Sequence, residues 1–125
     1  MTYKLGTRSL QNLSGVHPDL VAVVKRAIQI TPQDFTVIEG VRNIERQRQL
    51  VAKGASKTMN SRHLTGHAVD MVPWPVDWND LERFKVVSEA MKAAAEELNI
   101  PIVWGGDWNS FYDGPHFELN RKNYK

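Results

Sequence analysis

Two histidines and one aspartate in this sequence have the types and the spacing of a metal site. His63 and Asp70 lie seven residues apart, and Gly66 between them allows the backbone to turn. His63 can therefore sit in a loop while Asp70 projects from the β-prone run that follows. The third ligand must come from far along the chain to enclose the ion, and His116 is the best candidate. Imidazole nitrogens and a carboxylate oxygen suit zinc, and three protein ligands leave one position for water.

Hydrolysis at such a site also needs a proton acceptor that does not bind the metal. Asp113 precedes His116 by three residues across a turn. Its carboxylate could take a proton from a metal-activated water and pass one to a leaving amine. Glu118 competes for this role. Because residues two apart on a strand point to the same face, Glu118 is also a candidate to support His116 from behind.

Two further histidines have the same chemistry as the predicted ligands. His67 follows His63 by four residues, which on a helix would place both on one face, as in H-E-x-x-H. Gly66 and the β-prone run after it argue against a helix, so we expect His67 to point away from Asp70 or to lie beside the cleft. His17 precedes the first predicted helix and is expected at the surface.

Hydrophobic periodicity and turn signals predict the elements that position these residues. We expect an irregular lead-in at 1–16, helices at 18–29, 43–53 and 79–98, a loop at 54–62, and strands at 35–38, 68–72, 102–104 and 117–119. The cluster Asp77, Asn79 and Asp80 is interpreted as the cap of the long helix, without a calcium switch. The order predicts an α+β fold with a small antiparallel sheet and flanking helices, as a single domain over residues 1–125.

The composition of the chain excludes several classes of protein and of metal site. The chain has 125 residues, of which 42% are hydrophobic, and it carries a net charge of +2 and no cysteine. It should fold, and disulfides and thiolate metal sites are excluded. The basic residues are scattered, so a nucleic-acid-binding function would rest on the basic pI alone, and we expect no such partner. No apolar run approaches the ~18 residues of a membrane span, and no signal peptide is visible at the N-terminus.

Three sequence motifs resemble those of the VanY-type D,D-carboxypeptidase and L,D-endopeptidase family of zinc metallopeptidases. The motif S-x-H-x-x-G-x-A-x-D is complete at Ser61, His63, Gly66, Ala68 and Asp70. The second motif, D/E-x-x-H, is present as residues 113–116 and is followed by Phe117-Glu118-Leu119. A weaker G-x-R element lies at residues 40–42, with Gln47 after it. Together the motifs cover about residues 35–120.

The resemblance implies roles for individual residues. The ligands of one Zn²⁺ ion would be His63, Asp70 and His116, and Asp113 would be the general base. Arg42 would bind the substrate's carboxylate or polarise its carbonyl, since an arginine fork suits a planar carboxylate. Without the resemblance, a surface Arg42 paired with Glu45 is as plausible. Ser61 would donate a hydrogen bond near the substrate, with a plain turn residue as the alternative.

Positions are also predicted for three other residues near the motifs. Gln47 would either orient Arg42 or lie on the helix surface, and the surface position is favoured. Trp104 and Trp108 flank Gly105-Gly106, and they are expected in the core and along the cleft respectively.

The resemblance also implies a function and a fold. The D-x-x-H-F-E form is similar to single-domain phage endolysins that cleave the L-alanyl-D-glutamate bond of peptidoglycan stem peptides, on a Hedgehog/D,D-peptidase-like fold. We therefore expect a monomer without a wall-binding domain. It would stay in the host cytoplasm until a holin gives it access to the periplasm and cell wall. The alternatives are a D,D-carboxypeptidase or dipeptidase on the same scaffold, and a non-catalytic zinc or wall-binding module.

Overall fold

A computed structural model describes residues 2–55, 61–108 and 112–124 of the chain. The α-helices in these ranges are α1 (Thr7–Asn12), α2 (Pro18–Ile30), α3 (Ile44–Ala52) and α4 (Leu81–Leu98). The strands are β1 (Phe35–Glu39), β2 (Ala68–Pro73), β3 (Ile102–Trp104) and β4 (His116–Leu119). Short 3₁₀ helices lie at Arg62–Thr65 and Gly105–Asp107. Among the described helices, none is long and apolar enough to cross a membrane.

The strands form one antiparallel sheet in the order β1-β2-β4-β3. The central pair is β2 and β4, in which Val69 lies opposite Phe117 and Asp70 opposite His116. The predicted α+β fold with a small antiparallel sheet and flanking helices is confirmed. Its organisation as one catalytic domain over residues 1–125 stays a prediction.

The two faces of the central strands have different neighbours. Val69 and Phe117 are fully buried in the hydrophobic core, together with the apolar faces of α2 and α4. Because side chains alternate across a strand, Asp70 and His116 lie on the opposite face. The same two strands thus supply the core on one side and polar, chemistry-bearing groups on the other.

The N-terminal segment differs from its prediction, because residues 7–12 form α1 rather than an irregular lead-in. A six-residue helix is too short to be stable alone, and tertiary contacts fix it on the edge strand β1. The hydroxyl of Ser9 accepts a hydrogen bond from the Val37 amide at 2.9 Å, and the Asn12 side chain donates to the Val37 carbonyl at 2.9 Å. Gly40 allows this contact, since a Cβ there would lie 1.8 Å from the Asn12 carbonyl oxygen.

The other boundaries lie close to those predicted. Helix α4 begins at Leu81, and the side chain of Asp80 caps it by accepting from the Arg83 amide, as expected of that acidic cluster. The predicted loop at 54–62 is only partly testable, because residues 56–60 lie outside the described residues. Arg62 already belongs to the 3₁₀ helix that follows.

Replacing Ser9 by alanine should destabilise the fold. The variant leaves the Val37 amide without its buried acceptor, which costs about 1–3 kcal/mol of unfolding free energy. Urea unfolding followed by circular dichroism measures the change. The control is Ser14→Ala, which removes an exposed hydroxyl and should change stability by less than about 0.5 kcal/mol. Equal unfolding midpoints for the two variants would contradict the role assigned to Ser9.

Candidate active site

Three separate segments bring His63, Asp70 and His116 together. Asp70 and His116 are directly opposite each other on β2 and β4, on the face away from the core. His63 comes from the 3₁₀ helix Arg62–Thr65, which Gly66 ends in the left-handed conformation at φ 76°. A side chain at Gly66 would also meet the Gly15 carbonyl oxygen at 2.8 Å. This turn therefore requires glycine, and it directs His63 toward the sheet.

The three side chains converge with the spacing of a metal site. One ligand atom from each lies within 4.8 Å of the others. Oδ1 of Asp70 is 3.2 Å from Nε2 of His63 and 3.4 Å from Nδ1 of His116. Ligands at zinc distances on a tetrahedron are about 3.4 Å apart, so the two distances suit a zinc-sized ion. The structure thus assembles the predicted trio, whose role as metal ligands stays a prediction.

Each histidine is oriented by the ring nitrogen that faces away from Asp70. Nδ1 of His63 lies 2.9 Å from the carbonyl oxygen of Gly40, to which it donates. Nε2 of His116 lies 2.8 Å from Oε1 of Glu118, to which it donates. These bonds leave His63 Nε2 and His116 Nδ1 as the nitrogens that face Asp70. Glu118 therefore takes the supporting position behind His116 that its place on the strand allowed.

Charge interactions link Asp70 to the two histidines. Burial alone would raise the pKa of Asp70, but hydrogen bonds from His116 and His63 outweigh it and hold that pKa well below the usual range. Burial alone would lower the pKa of His116, but hydrogen bonds to Asp70 and Glu118 raise it to about 9. These shifts favour an anionic Asp70 beside a protonated His116.

Asp113 reaches the cleft from the loop before β4. Its amide donates to the Gly105 carbonyl at 3.0 Å, and its carbonyl accepts from the His116 amide at 3.2 Å. Only glycine fits at 105, because a Cβ there would lie 2.9 Å from the Cβ of Asp113 and 3.1 Å from that of His116. Burial raises the pKa of the Asp113 carboxyl, and the negative charge of Asp70 raises it further. A half-buried carboxylate of raised basicity beside the trio suits proton transfer.

Arg42 is buried and does not pair with Glu45. Its Nε and Nη2 donate to the two carboxylate oxygens of Glu39 at 2.9 and 2.8 Å. Nη2 also lies 3.5 Å from Oδ2 of Asp70. Nη1 donates to the side chain of Gln47 at 2.7 Å and faces the Ser61 hydroxyl at 3.5 Å. Four of the five N–H groups of the guanidinium therefore donate hydrogen bonds, and Nη2 also forms an ion pair with Asp70.

The observed position of the Gln47 side chain contradicts the favoured prediction. The favoured interpretation placed it on the surface of a polar helix, but its side chain is fully buried and accepts from Arg42. The alternative interpretation, that Gln47 orients Arg42, is the correct one. The sequence pattern failed here because α3 is polar on most faces, so hydrophobic periodicity does not show which polar face is buried.

Ser61 and His67 occupy different sides of the histidine turn. The Ser61 hydroxyl caps the 3₁₀ helix by accepting from the His63 amide at 3.2 Å, and it lines the cleft. His67 points away from the trio, with its Nδ1 2.7 Å from the Thr65 hydroxyl and its ring 5.5 Å from that of His17. His67 therefore stands outside the candidate metal site, as predicted.

Two arginines near the site were not singled out by sequence reasoning. Arg62 is buried and donates to the carbonyls of Leu119 and Tyr124, with its Nε 3.9 Å from Glu118. Arg121 places its Nε 3.4 Å from Oε2 of Glu118. The only local signal for Arg62 was its position beside His63, and Arg121 lies outside the three motifs.

These residues surround an open cleft of about 370 Å³, within the size range of small-molecule and peptide sites. Trp108 forms part of its wall, with its ring 5.0 Å from the ring of His116, as expected for a residue lining the cleft. Trp104 is buried in the core, as predicted, and its Nε1 donates to the Gly114 carbonyl at 2.7 Å. That bond ties the Asp113 loop to the core.

Comparison with known proteins relates this site to a family. The family model described as phage L-alanyl-D-glutamate peptidase matches residues 1–120. The L-alanyl-D-glutamate peptidase of Escherichia phage T5 is 38% identical over 136 residues, covering 95% of this chain and 99% of that protein. The L-alanyl-D-glutamate peptidase of Listeria phage A118 is 32% identical, and the match covers 99% of this chain but 45% of that protein.

A solved structure is also similar to this chain in fold and sequence. The L-Ala D-Glu endopeptidase ChiX of Serratia marcescens superposes with a TM-score of 0.89 at 45% sequence identity, covering 94% of this chain and 90% of that one. The match of the family model over nearly the whole chain, the phage relatives and the shared fold agree. The chain belongs to the phage L-alanyl-D-glutamate peptidase family.

Proposed function

We propose that this protein is a zinc-dependent endopeptidase that hydrolyses the L-alanyl-D-glutamate bond of peptidoglycan stem peptides. The observation that carries the proposal is the convergence of His63, Asp70 and His116 on one point, with the outer nitrogen of each histidine already bonded to an acceptor. The names of the relatives supply the bond that is cut.

The donor set fits zinc rather than a harder cation. Two imidazole nitrogens and one carboxylate oxygen, with ligand separations near a tetrahedral edge, match the preferences of Zn²⁺, whereas Ca²⁺ and Mg²⁺ prefer oxygen ligands. Zinc bound there would lower the pKa of a water molecule and polarise the scissile carbonyl. The chain's own residues must then position the peptide and move the protons.

Asp113 is the best candidate to move the protons. Its carboxylate lines the cleft, and its raised pKa favours proton acceptance. It would take the proton of the attacking water and deliver one to the amine of the departing D-glutamate. Glu118, its competitor, is committed to the Nε2 proton of His116 and is flanked by Arg62 and Arg121. Hydrogen bonds and charge from His116, and then from Arg121, lower the pKa of Glu118 despite its burial and make it a weak base.

Arg42 and Ser61 contribute in different ways. Arg42 is buried, donates four hydrogen bonds within the chain and forms ion pairs with Glu39 and Asp70, so contact with substrate would require some of these interactions to open. We infer that Arg42 chiefly holds Oδ2 of Asp70, so that Oδ1 faces the histidines. The Ser61 hydroxyl only accepts hydrogen bonds within the described residues, which leaves its own proton to donate to the substrate.

The place of action follows from the substrate. Peptidoglycan lies outside the cytoplasmic membrane, so an enzyme made in the host cytoplasm must cross that membrane. We propose that it acts as a monomer, after holin-dependent release to the periplasm and cell wall. Support comes from the phage origin of two relatives.

The bond specificity is tested by digesting purified peptidoglycan and identifying the fragments by mass spectrometry. The proposal expects new amino-terminal glutamate and fragments that end in alanine from the first stem position. Release of terminal D-alanine instead would indicate a D,D-carboxypeptidase on this scaffold. Binding to the wall without any cleavage would indicate a non-catalytic module.

Replacing His116 by alanine should abolish zinc binding and peptidoglycan cleavage together, because one of three ligands is lost. Isothermal titration calorimetry measures the zinc stoichiometry, and the digest measures the activity. His67→Ala is the matched control, since it removes a histidine outside the trio. A His116→Ala protein that still cleaves at the normal rate would refute the ligand assignment.

Replacing Asp113 by asparagine should separate binding from chemistry. We expect one zinc ion to bind while kcat falls about a hundredfold to ten-thousandfold, the usual contribution of a general base. Asp107→Asn, at a surface aspartate paired with Lys92, serves as the control with unchanged kcat. Full activity of Asp113→Asn would assign the proton transfer to another group, with Glu118 tested next.

Zinc binding should depend on pH, because zinc and a proton compete for Nδ1 of His116. The pKa of about 9 means that His116 is protonated at neutral pH in the ion-free protein. Zinc affinity should therefore rise about tenfold per pH unit between about pH 6 and pH 8, with release of about one proton. Calorimetry in buffers of different ionisation enthalpy counts the released protons. Affinity that is constant over this range would contradict the assigned protonation state.

A further inference from the structure

The proposed substrate carries a negative charge beside the bond to be cut. In an L-alanyl-D-glutamate bond, glutamate supplies the amine and retains two carboxyl groups. A linear peptide can continue through only one of them, so the other remains a carboxylate a few bonds from the reacting carbonyl. A cation on the leaving-group side of the cleft would complement this charge and could recognise the residue.

The three arginines that line the described part of the cleft differ in what they can still bind. Arg42 is buried, donates four hydrogen bonds within the chain and pairs with Glu39 and Asp70. Arg62 is buried and donates to two backbone carbonyls. The Arg121 side chain is 62% exposed and is held only through Nε, at 3.4 Å from Glu118. Within the described residues, both of its terminal nitrogens lack an acceptor.

The backbone that carries Arg121 is fixed to the body of the protein. The carbonyl of Asn120 accepts from the amides of Asn123 and Tyr124 at 3.1 and 2.9 Å. Arg62 donates to the Tyr124 carbonyl, and the Tyr124 hydroxyl donates to Asp19 at 2.6 Å. The Asn120 amide donates to the Pro101 carbonyl at 3.0 Å, so the turn is anchored at both ends, and Arg121 contacts Glu118 at the wall of the cleft. Such preorganisation lowers the cost of binding an anion.

We propose that Arg121 is a specificity-determining residue, which binds through its terminal nitrogens the carboxylate that D-glutamate retains beside the scissile bond. The inference rests on the proposed function and assigns Arg121 to the leaving residue. An arginine fork matches a planar carboxylate with two parallel hydrogen bonds. Glu118, which touches both His116 and Arg121, links this subsite to the candidate metal site.

The test compares two synthetic stem peptides that differ in one group. In one peptide the glutamate carboxyl that does not continue the chain is a carboxylate, and in the other it is a carboxamide. The zinc-loaded wild-type protein should cleave the carboxylate peptide with about tenfold higher kcat/KM, as a charged hydrogen bond predicts. Arg121→Gln should lower kcat/KM for the carboxylate peptide about tenfold, mainly through KM, and leave the carboxamide peptide unchanged.

Control variants separate the effect of the Arg121 charge from the effect of its position and from the underlying peptidase activity. Lys122→Gln removes the same charge from the neighbouring residue and should leave both rates unchanged, while Arg121→Lys should retain part of the preference. If Arg121→Gln slows both peptides equally, Arg121 acts only through Glu118 and the proposal is overturned. Equal cleavage of both peptides by the wild type overturns it as well. Cleavage of neither peptide refutes the proposed function itself, and the inference with it.

Discussion

The carboxylate of Asp70 is the group on which the rest of the site depends. A buried carboxylate is costly unless charged or polar partners surround it. Here His63 and His116 approach one oxygen, and Arg42 approaches the other. Each partner is fixed in turn by an acceptor of its own: the Gly40 carbonyl, Glu118 and Glu39 respectively. The site is therefore built outward from one anion.

The antiparallel pairing of β2 and β4 gives Asp70 these partners. Asp70 and His116 are opposite in register, and their neighbours Val69 and Phe117 are opposite in the core. A one-residue slip would move each side chain to the other face of the sheet. It would bury two charged groups in the core and expose two large apolar ones, so the packing of the core enforces the register of the site. Stability and function are thus coupled in this pair of strands.

The sequence was sufficient for the parts of the fold that have a local pattern. The periodic stripe of α4 predicted a helix, and the motif from Ser61 to Asp70 predicted two residues that the structure brings together, because both signals lie within a short stretch of sequence. Helix α1 and the burial of Gln47 were missed because their causes are distant or polar. Ser9 stabilises α1 through Val37, which is 28 residues away, and Gln47 is buried by an arginine rather than by apolar packing. Such contacts follow from tertiary structure, which neither hydrophobic periodicity nor helix propensity reports.

The carboxylates of the cleft divide into those that build the site and one that is left to react. Glu39, Asp70 and Glu118 each hydrogen-bond an arginine or a histidine, and for Asp70 and Glu118 these bonds lower the pKa despite burial. Within the described residues, the Asp113 carboxylate has no such bond, and burial together with the charge of Asp70 raises its pKa. Protonation stabilises a carboxylate little when the group is already hydrogen-bonded to a cation. It stabilises a half-buried carboxylate without such a partner much more. The pairing pattern therefore favours Asp113 for proton transfer, independently of its place in a motif.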